Sequence, residues 1–334
     1  MNLLVTGAAG YIGSVCVEAL LRRGHRVFAL DNLSAGHRDA VHSDAVFWHC
    51  DLGNAAELDR LLSSSPIDVV LHLAAEVQVD KSVRSPSPFY VVNVAYGVQL
   101  LDAMLRHNIR RMVFSSTAAV YGQPKSTPVT EDHPAQPITP YGVTKLLFEP
   151  ILADYAAHST FRWIALRYFN AAGASAERGE DHRPEPHLIP RILEAALGQR
   201  PHFDIMGTDY QTHDGTCVRD FVHVEDIAEA HALALENLEK VSGEIFNVGN
   251  SRGYSVLEVV KAARKVTGRG IAAVIGPRRP GDPGVLVAGS EKLRTRLGWQ
   301  ARSSDIETIL ASAWAWKQKF PRGYTNAQSA PAAP

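Results

Sequence analysis

Residues 6–13, with the sequence TGAAGYIG, decide the fold of this 334-residue chain. They follow the apolar run 3–5 and open an amphipathic pattern, so a strand, a tight turn and a helix are predicted in that order. Gly7 permits the turn, Gly10 lets the backbone approach a pyrophosphate, and Gly13 lets the helix pack closely on the strand. The helix N-terminus then offers free N–H groups and a partial positive charge to phosphate. The loop therefore predicts a dinucleotide site.

Strand-like and helix-like runs alternate through the first half of the chain. Apolar runs are predicted as strands at 3–6, 27–30, 46–49, 69–72, 112–115 and 163–167. Amphipathic stretches are predicted as helices at 13–23, 55–62, 91–107 and 141–158. This alternation is typical of an α/β fold with a Rossmann-type, doubly wound parallel sheet covered on both faces. The ligand crevice is expected at the carboxyl ends of the strands.

The alternation stops after Asn170, which sets the predicted domain boundary. Residues 1–170 are expected to form the dinucleotide-binding domain, to which segments near 218–250 return. Residues 171–217 and 251–324 are expected to form mainly a smaller, discontinuous α/β domain for the substrate. The tail 325–334, rich in alanine and proline, is expected to be disordered.

Composition and charge argue against several classes of protein. The chain is 46% hydrophobic and 21% charged with a net charge of −1, so it has no global basic field for nucleic acid. No stretch approaches the roughly 18 apolar residues of a membrane span, and no signal peptide is recognised. We therefore expect a cytoplasmic protein with neither a membrane nor a nucleic-acid partner. Cys16, Cys50 and Cys217 form no CxxC pair and are interpreted as buried, reduced thiols.

The chain has fourteen histidines, which raises the question of a metal. His223 and His231 flank a carboxylate-rich helical stretch, but their spacing of eight residues spans more than two turns. That separation is too long for adjacent metal ligands. No metal site is expected.

Asp31 ends the second predicted strand, eighteen residues after Gly13. A carboxylate there can accept hydrogen bonds from the adenosine ribose hydroxyls. The same charge would repel the 2′-phosphate of NADP, so NAD is the predicted cofactor. An exposed aspartate in a purely structural turn is the alternative interpretation.

Tyr141 and Lys145 are the candidate catalytic pair. They lie four residues apart in TPYGVTKLLFE, one turn apart on a predicted helix. Tyrosine at its normal pKa of about 10 is a poor base. A nearby ammonium and a positive nicotinamide ring stabilise the phenolate and lower that pKa, which suits removal of a proton from a sugar hydroxyl. Thr117 ends the preceding strand and could bond the substrate oxygen or the phenolate, with a strand-end cap as the alternative.

Motifs along nearly the whole chain are similar to those of one enzyme family. They are LLVTGAAGYIG, LDNLS, HLAA, FSSTAAVYG, PYGVTK, LRYFNAAG, VRDFVHVEDIA and PRRPGD. With them the chain resembles the extended short-chain dehydrogenase/reductases, and within these the branch of UDP-sugar 4-epimerases. The resemblance implies that tightly held NAD takes the hydride from carbon 4 of the sugar and returns it to the other face, with Tyr141 as the base. It implies UDP-glucose and UDP-galactose as substrates.

The resemblance also implies the residues of both binding sites. Those implied for NAD are Gly7, Gly10, Tyr11, Ile12, Gly13, Asp31, Asn32, Asp51, Leu52, Leu73, Ala74, Ala75, Asn93, Ser115, Tyr141, Lys145 and Tyr168. Those implied for the UDP-sugar are Thr117, Tyr141, Asn170, His187, Leu188, Arg219, Arg279, Asp282 and Leu286. Arg219 and Arg279 would clamp phosphate, and Asp282 would accept from the uridine ribose. A helix-capping ion pair with a neighbouring aspartate is the structural alternative for Arg219.

Several positions depart from the family pattern and leave the sugar open. Val77 stands where a lysine often lies near the nicotinamide, His187 where an asparagine often binds phosphate, and Phe221 where a tyrosine is common. Leu286 is smaller than the tyrosine that largely excludes N-acetylated sugars at the matching position. UDP-N-acetylhexosamines, UDP-pentoses and UDP-uronates therefore stay open as alternative substrates.

Two other functions on the same fold are weaker alternatives. A nucleotide-sugar dehydratase needs an acid and a base, which that branch supplies as Asp-Glu after the threonine. This chain has Ala118-Ala119, which cannot transfer protons. A non-catalytic NAD-sensing protein would be expected to lack Tyr141 or Lys145, and both are present.

Family members are usually homodimers that pair two helices per subunit. Here these would be the helices around 91–107 and 141–158. On the second, Leu146, Leu147, Ile151 and Leu152 could form the contact face, although core packing explains them equally well.

Overall fold

The computed structural model describes residues 1–278 and 282–324. Within them the strands are β1 (Asn2–Thr6), β2 (Arg26–Asp31), β3 (Val46–His49), β4 (Val69–His72), β5 (Arg111–Thr117), β6 (Arg162–Tyr168), β7 (Asn170–Ala172), β8 (Phe203–Met206), β9 (Val218–His223), β10 (Glu244–Val248), β11 (Gly253–Ser255), β12 (Ala273–Gly276) and β13 (Val285–Leu286). The α-helices are α1 (Tyr11–Arg22), α2 (Ala55–Ser63), α3 (Val79–Arg84), α4 (Ser87–Tyr90), α5 (Tyr96–Arg106), α6 (Pro140–Ala157), α7 (Leu188–Ala196), α8 (Val224–Asn237), α9 (Val256–Thr267), α10 (Glu291–Leu297) and α11 (Ile306–Lys319). A π-helical turn at Val91–Ala95 runs into α5.

A parallel sheet in the order β10-β6-β5-β4-β1-β2-β3 forms the larger body and confirms the predicted Rossmann-type α/β fold. Both faces are covered: α1 and α8 bury Leu20 and Leu235 against one face. On the other face α2, α5 and α6 bury Leu58, Leu101 and Phe148. The strand order reverses between β1 and β4, so a crevice opens at their carboxyl ends.

A smaller body follows Asn170. There β9 lies between β11 and β13 and also pairs with β7, while β8 pairs with β12. Of the segment near 218–250, β9 belongs to this small sheet, whereas α8 packs on α1 and β10 pairs with β6. The predicted disorder of 325–334 concerns residues outside the described ones.

Over residues 1–278 and 282–324, no helix is long and apolar enough to cross a membrane. Cys16, Cys50 and Cys217 are buried and free. Burial raises the pKa of the Cys50 thiol to about 11, so this group stays protonated and packs as a small hydrophobe.

The glycine loop between β1 and α1 is held by close backbone contacts. Gly7 has a φ of +71°, and a Cβ there would lie 2.6 Å from the amide nitrogen of Ala74. A Cβ on Gly13 would lie 2.0 Å from the carbonyl oxygen of Gly7. Neither position can hold a side chain unless backbone moves.

Gly13→Ala is expected to lower the free energy of unfolding by about 3 kcal/mol, since the clash is with backbone that cannot rotate away. The urea midpoint of the NAD-free protein measures this. Gly270→Ala is the matched control, because nothing lies within 4 Å of a Cβ at Gly270. The control should change stability by less than about 0.5 kcal/mol. Equal effects of the two substitutions would contradict the packing argument.

Candidate active site

A cleft of about 730 Å³ lies at the carboxyl ends of the central strands and continues into the smaller body. Most of the predicted site residues line it. They are Gly7, Gly10, Tyr11, Ile12, Gly13, Asp31, Asn32, Asp51, Leu52, Leu73, Ala74, Ala75, Ser115, Thr117, Tyr141, Tyr168, Asn170, His187, Leu188, Arg219, Asp282 and Leu286. Asn93 and Lys145 do not line it, and Arg279 lies outside the described residues.

The pyrophosphate end of the cleft is built by the glycine loop. Gly10 is the N-cap of α1 and has no side chain with which to bond the first-turn amides. Tyr11, Ile12 and Gly13 line the cleft, so these amides lie at its wall. A helix N-terminus of this kind suits a phosphate group.

Asp31 both lines the cleft and fixes the loop. Its Oδ2 accepts from the Ala9 amide at 2.9 Å and its Oδ1 from the Leu33 amide at 2.8 Å. Burial raises the pKa of this carboxyl, and the two backbone bonds oppose that rise. The carboxylate therefore holds the turn in the position where a ribose would meet it.

Asn32 and Asp51 form a second polar pair that lines the cleft. The Asn32 side chain donates to Asp51 Oδ2 at 2.6 Å, and Asp51 Oδ1 accepts from the Gly53 amide at 2.7 Å. These bonds order the two strand-end loops that follow β2 and β3.

Asn93 lies behind the cleft wall and is 2% exposed. Its Oδ1 accepts from the Glu76 amide at 2.8 Å, and its Nδ2 donates to the Glu76 carbonyl at 3.0 Å. The same Nδ2 donates to Thr144 Oγ1 at 3.0 Å. Asn93 therefore acts on the cleft through the backbone that follows β4.

Tyr141 and Thr117 both line the cleft, and Thr117 lies close enough to lower the pKa of the Tyr141 phenol. Helix α6 begins at Pro140, and Thr139 caps it by accepting from the Gly142 amide at 3.3 Å. Thr117 Oγ1 also accepts from the Ala119 amide at 3.1 Å. Thr117 thus caps the strand end, and its role toward a substrate stays a prediction.

Lys145 is buried beneath this pair. Its Nζ donates to the Ser115 carbonyl at 2.7 Å and lies 4.8 Å from the centre of the Phe114 ring. Burial lowers the pKa of Lys145 to about 7, while the nearby Glu149 carboxylate raises it.

The pKa of Tyr141 is raised, because burial outweighs the hydrogen bond from Thr117. The expected lowering of this pKa by Lys145 is therefore not found in the protein alone. Sequence spacing placed the two side chains on one face, but it could not show that the ammonium is bonded to Ser115.

Sequence reasoning missed Glu149, which lies one further turn along α6. It is 3% exposed and pairs with Arg167, whose Nε and Nη2 lie 2.9 and 2.5 Å from the two carboxylate oxygens. The Ser116 hydroxyl donates to Glu149 Oε1 at 2.7 Å. The spacing YxxxKxxxE was the available signal, because it puts Tyr141, Lys145 and Glu149 on one helical face.

Tyr168 ends β6 and lines the cleft. Its hydroxyl is hydrogen-bonded to Ser115 and to Nε2 of His231, which is fully buried. His223 instead bonds Ser312 at 2.9 Å. Both histidines raised in the metal question thus have hydrogen-bonding partners in the fold.

The outer end of the cleft combines charge with a small apolar wall. Arg219 lies on β9 with its Nη2 3.8 Å from Oδ2 of Asp282, which is distant in sequence, so this ion pair differs from the helix cap of the structural alternative. Leu286 on β13 pairs with Arg219 across the small sheet. Phe221 is 4% exposed and packs in the core of the smaller body.

His187 is the N-cap of α7, beside Leu188. Its Nδ1 lies 2.6 Å from Glu180 Oε1 and 2.9 Å from Glu185 Oε1. Burial disfavours the charged imidazole, but the two carboxylates outweigh burial and raise the pKa of His187 to about 10. Sequence reasoning missed Glu180 and Glu185, although the alternation of glutamate and histidine in EDHRPEPH was visible.

Known proteins are similar to this chain over nearly its whole length. Residues 3–249 match the model of the NAD dependent epimerase/dehydratase family. The UDP-glucose 4-epimerase of Halalkalibacterium halodurans is 48% identical over 330 residues, which cover 98% of this chain and 98% of the relative. A crystal structure of a UDP-glucose 4-epimerase superposes with a TM-score of 0.95 at 43% identity, covering 97% of this chain and 100% of that one. The UDP-glucose 4-epimerase of Bifidobacterium longum in complex with NAD⁺ and UDP gives a TM-score of 0.92 at 36% identity over 97% of this chain and 100% of that one.

Proposed function

The chain belongs to the NAD dependent epimerase/dehydratase family, and we propose that it is an isomerase that interconverts UDP-glucose and UDP-galactose at carbon 4. The observation that carries the proposal is the placement of Tyr141 and Thr117 together at the wall of the crevice, directly beside Ala118 and Ala119. A base is present for a sugar hydroxyl, whereas these two alanines offer no acid or base for the elimination that a dehydratase performs.

The cleft fits NAD. The side-chain-free cradle of the glycine loop accepts a pyrophosphate, and Asp31 stands where the adenosine ribose hydroxyls would lie. Its charge disfavours the extra phosphate of NADP. Bound NAD supplies a hydride acceptor that returns the same hydride, so the cofactor is not consumed.

Tyr141 would take the proton of the 4-hydroxyl and return it after the sugar has turned over. Thr117 would hold the reacting oxygen by a hydrogen bond. Lys145 would keep Ser115 and the end of β5 in place and add a positive charge below the phenolate. The charge of a bound nicotinamide ring would act in the same direction and offset the effect of burial on the Tyr141 pKa.

The UDP part would lie between the two bodies. Asn170, His187 and Leu188 line the cleft and would border the diphosphate. Arg219 would supply a cation, while Asp282 would accept from the uridine ribose. Arg279 is proposed for the same clamp from the family resemblance alone.

The most direct test is incubation of the purified protein with UDP-glucose, followed by chromatographic detection of UDP-galactose. Conversion is expected without added NAD, because the cofactor is expected to copurify. A parallel panel of UDP-N-acetylhexosamines, UDP-pentoses and UDP-uronates defines the sugar. Failure to convert either UDP-hexose would overturn the proposed substrate.

Leu286 favours UDP-N-acetylhexosamines as a second class of substrate, since it lines the cleft with a side chain smaller than tyrosine. Leu286→Tyr is expected to lower kcat/KM for an N-acetylated sugar by about a hundredfold, because a buried clash rejects the larger group. The same variant should retain UDP-glucose activity within about threefold. Parallel loss on both sugars would show that Leu286 does not select between them.

We propose that two chains pair through the π-helical turn at Val91–Ala95, α5 and α6. Val91 and Leu147 are 39% and 42% exposed, while Leu152 is fully buried and Leu146 and Ile151 are partly buried against the core. Of the four leucine and isoleucine candidates, Leu147 thus has the exposed side chain.

A cytoplasmic location stays a prediction.

Light scattering after gel filtration is expected to give the mass of two chains for the wild type and of one chain for Leu147→Glu, because a carboxylate would be buried in an apolar contact. Leu257→Glu is the control, since Leu257 is 39% exposed on α9, away from this surface. A monomeric wild type would exclude the proposed assembly.

A further inference from the structure

Four side chains converge in the segment that connects β7 to α7. They are Glu180, His182, Glu185 and His187, and one nitrogen or oxygen atom of each lies within 4.8 Å of the others. His182 and His187 have ring centroids 4.9 Å apart. The segment forms one wall of the cleft near the proposed diphosphate region.

The two carboxylates of this cluster are buried, each at 8% exposure. Glu180 Oε1 lies 2.6 Å from His187 Nδ1 and 3.2 Å from His182 Nδ1. Glu185 Oε1 lies 2.9 Å from His187 Nδ1 and also accepts from the His187 amide at 2.8 Å. Two buried negative charges thus meet around the nitrogen atoms of two imidazoles.

His182 supplies an independent observation. Its Nδ1 is buried and has no hydrogen-bonding partner in the described part of the chain, because its 3.2 Å approach to Glu180 lacks hydrogen-bond geometry. A buried nitrogen without a partner costs free energy unless something binds it. The lone pair of a neutral imidazole is a common metal ligand.

We propose that Glu180, His182, Glu185 and His187 bind one Zn²⁺ ion. Ligand atoms around a tetrahedral zinc lie about 3.4 Å apart, given metal–ligand bonds of about 2.1 Å. The separations of 2.6, 2.9 and 3.2 Å and the upper limit of 4.8 Å among the four atoms bracket this value. Imidazole nitrogens together with carboxylate oxygens suit zinc better than they suit calcium or magnesium.

The proposed site is structural. Four protein ligands fill a tetrahedral zinc, so no position is left to activate water or the sugar. The ion would tie the segment after β7 to the N-terminus of α7 and so fix His187 and Leu188 at the cleft. It would balance the charge of both carboxylates. The inference concerns the metal content of the chain and is independent of which sugar is converted.

The test uses the full-length, untagged holoenzyme, grown with added zinc and purified without chelator. Elemental analysis is expected to give about one zinc per chain, and a chromophoric chelator competes for it in the affinity measurement. His182→Ala is expected to weaken zinc binding by about a hundredfold or more, since it removes a direct ligand. Removal of zinc with a chelator should lower the melting temperature of the wild type but not that of the variant, and Zn²⁺ added back should restore it.

His213→Ala is the matched control. His213 also has two carboxylates near its Nε2, Asp214 at 3.6 Å and Glu258 at 3.5 Å, but it is 58% exposed and belongs to no four-ligand group among the described residues. It should leave the zinc content unchanged. Glu185→Gln replaces His182→Ala if the latter does not fold.

The competing explanation is that the two imidazoles are protonated and form ion pairs with Glu180 and Glu185, with no metal bound. Less than about 0.1 zinc per chain, together with equal zinc affinity in wild type and variant, would overturn the proposal. Epimerase activity without zinc would not, because metal content is measured separately from turnover. A zinc-loaded but inactive protein would count against the proposed function alone.

Discussion

Tyr141→Phe is expected to lower the kcat of UDP-glucose epimerisation by about a thousandfold, while the protein still copurifies with NAD. The phenol is the group that would move the proton of the sugar hydroxyl, and phenylalanine retains only its ring. That ring packs edge-on against Phe89 with centroids 6.5 Å apart, so the fold should be preserved. Absorbance at 260 nm after denaturation measures the cofactor, and a coupled assay for UDP-galactose measures turnover.

Tyr155→Phe is the control for loss of a hydroxyl on the same helix. The Tyr155 hydroxyl donates to Asp102 at 2.5 Å and does not line the cleft. Its removal should leave kcat within about twofold, because it touches no reacting atom. If Tyr141→Phe kept turnover within about tenfold of the wild type, Tyr141 would not be the base.

The large sheet could be predicted closely because short apolar runs in the sequence mark its strands. Residues 69–71 are apolar and all of β4 is buried, as expected where both faces of a parallel sheet are covered. The glycine loop could be predicted as well, because Gly13 is required by its close contact with Gly7, only a few residues away in sequence. Local pattern and tertiary environment agree at these positions.

Contacts between segments that are distant in sequence could not be predicted from local patterns. The segment near 218–250 was expected to return to the first domain, and the sequence did not show that β9 within it pairs with β7, β11 and β13. Glu149 on α6 pairs with Arg167 on β6, eighteen residues later. The spacing of residues along the helix does not predict this partner. The Tyr141 pKa is raised by burial, and Lys145 donates to the Ser115 carbonyl. Both depend on the tertiary structure.

Glu149→Gln is expected to move the alkaline limb of the kcat profile to lower pH. Burial lowers the pKa of Lys145 to about 7, and the Glu149 carboxylate opposes that effect. Without this negative charge the Lys145 pKa falls further. Because the charged ammonium is the form that supports the phenolate, activity should be lost as pH rises through the lowered pKa and be retained better below it.

The single substitution also leaves Arg167 charged, buried and unpaired, since its Nη2–Oε2 contact of 2.5 Å loses its negative partner. Breaking such a pair is expected to lower the free energy of unfolding by about 3–5 kcal/mol. That is a large part of the total for a protein of ordinary stability, so the variant could unfold. The double variant Glu149→Met with Arg167→Met removes both charges and should recover most of that stability. It therefore allows the pH profile to be measured in a folded protein.

The two variants separate a structural role from an electrostatic one. If Glu149 tunes Lys145, both should show the shifted alkaline limb, although only the single variant is destabilised in urea. If Glu149 serves only to satisfy Arg167, the double variant should recover the wild-type pH profile together with its stability. That second outcome would contradict the tuning role, because Lys145 would then keep its charge without the carboxylate that lies one turn along α6.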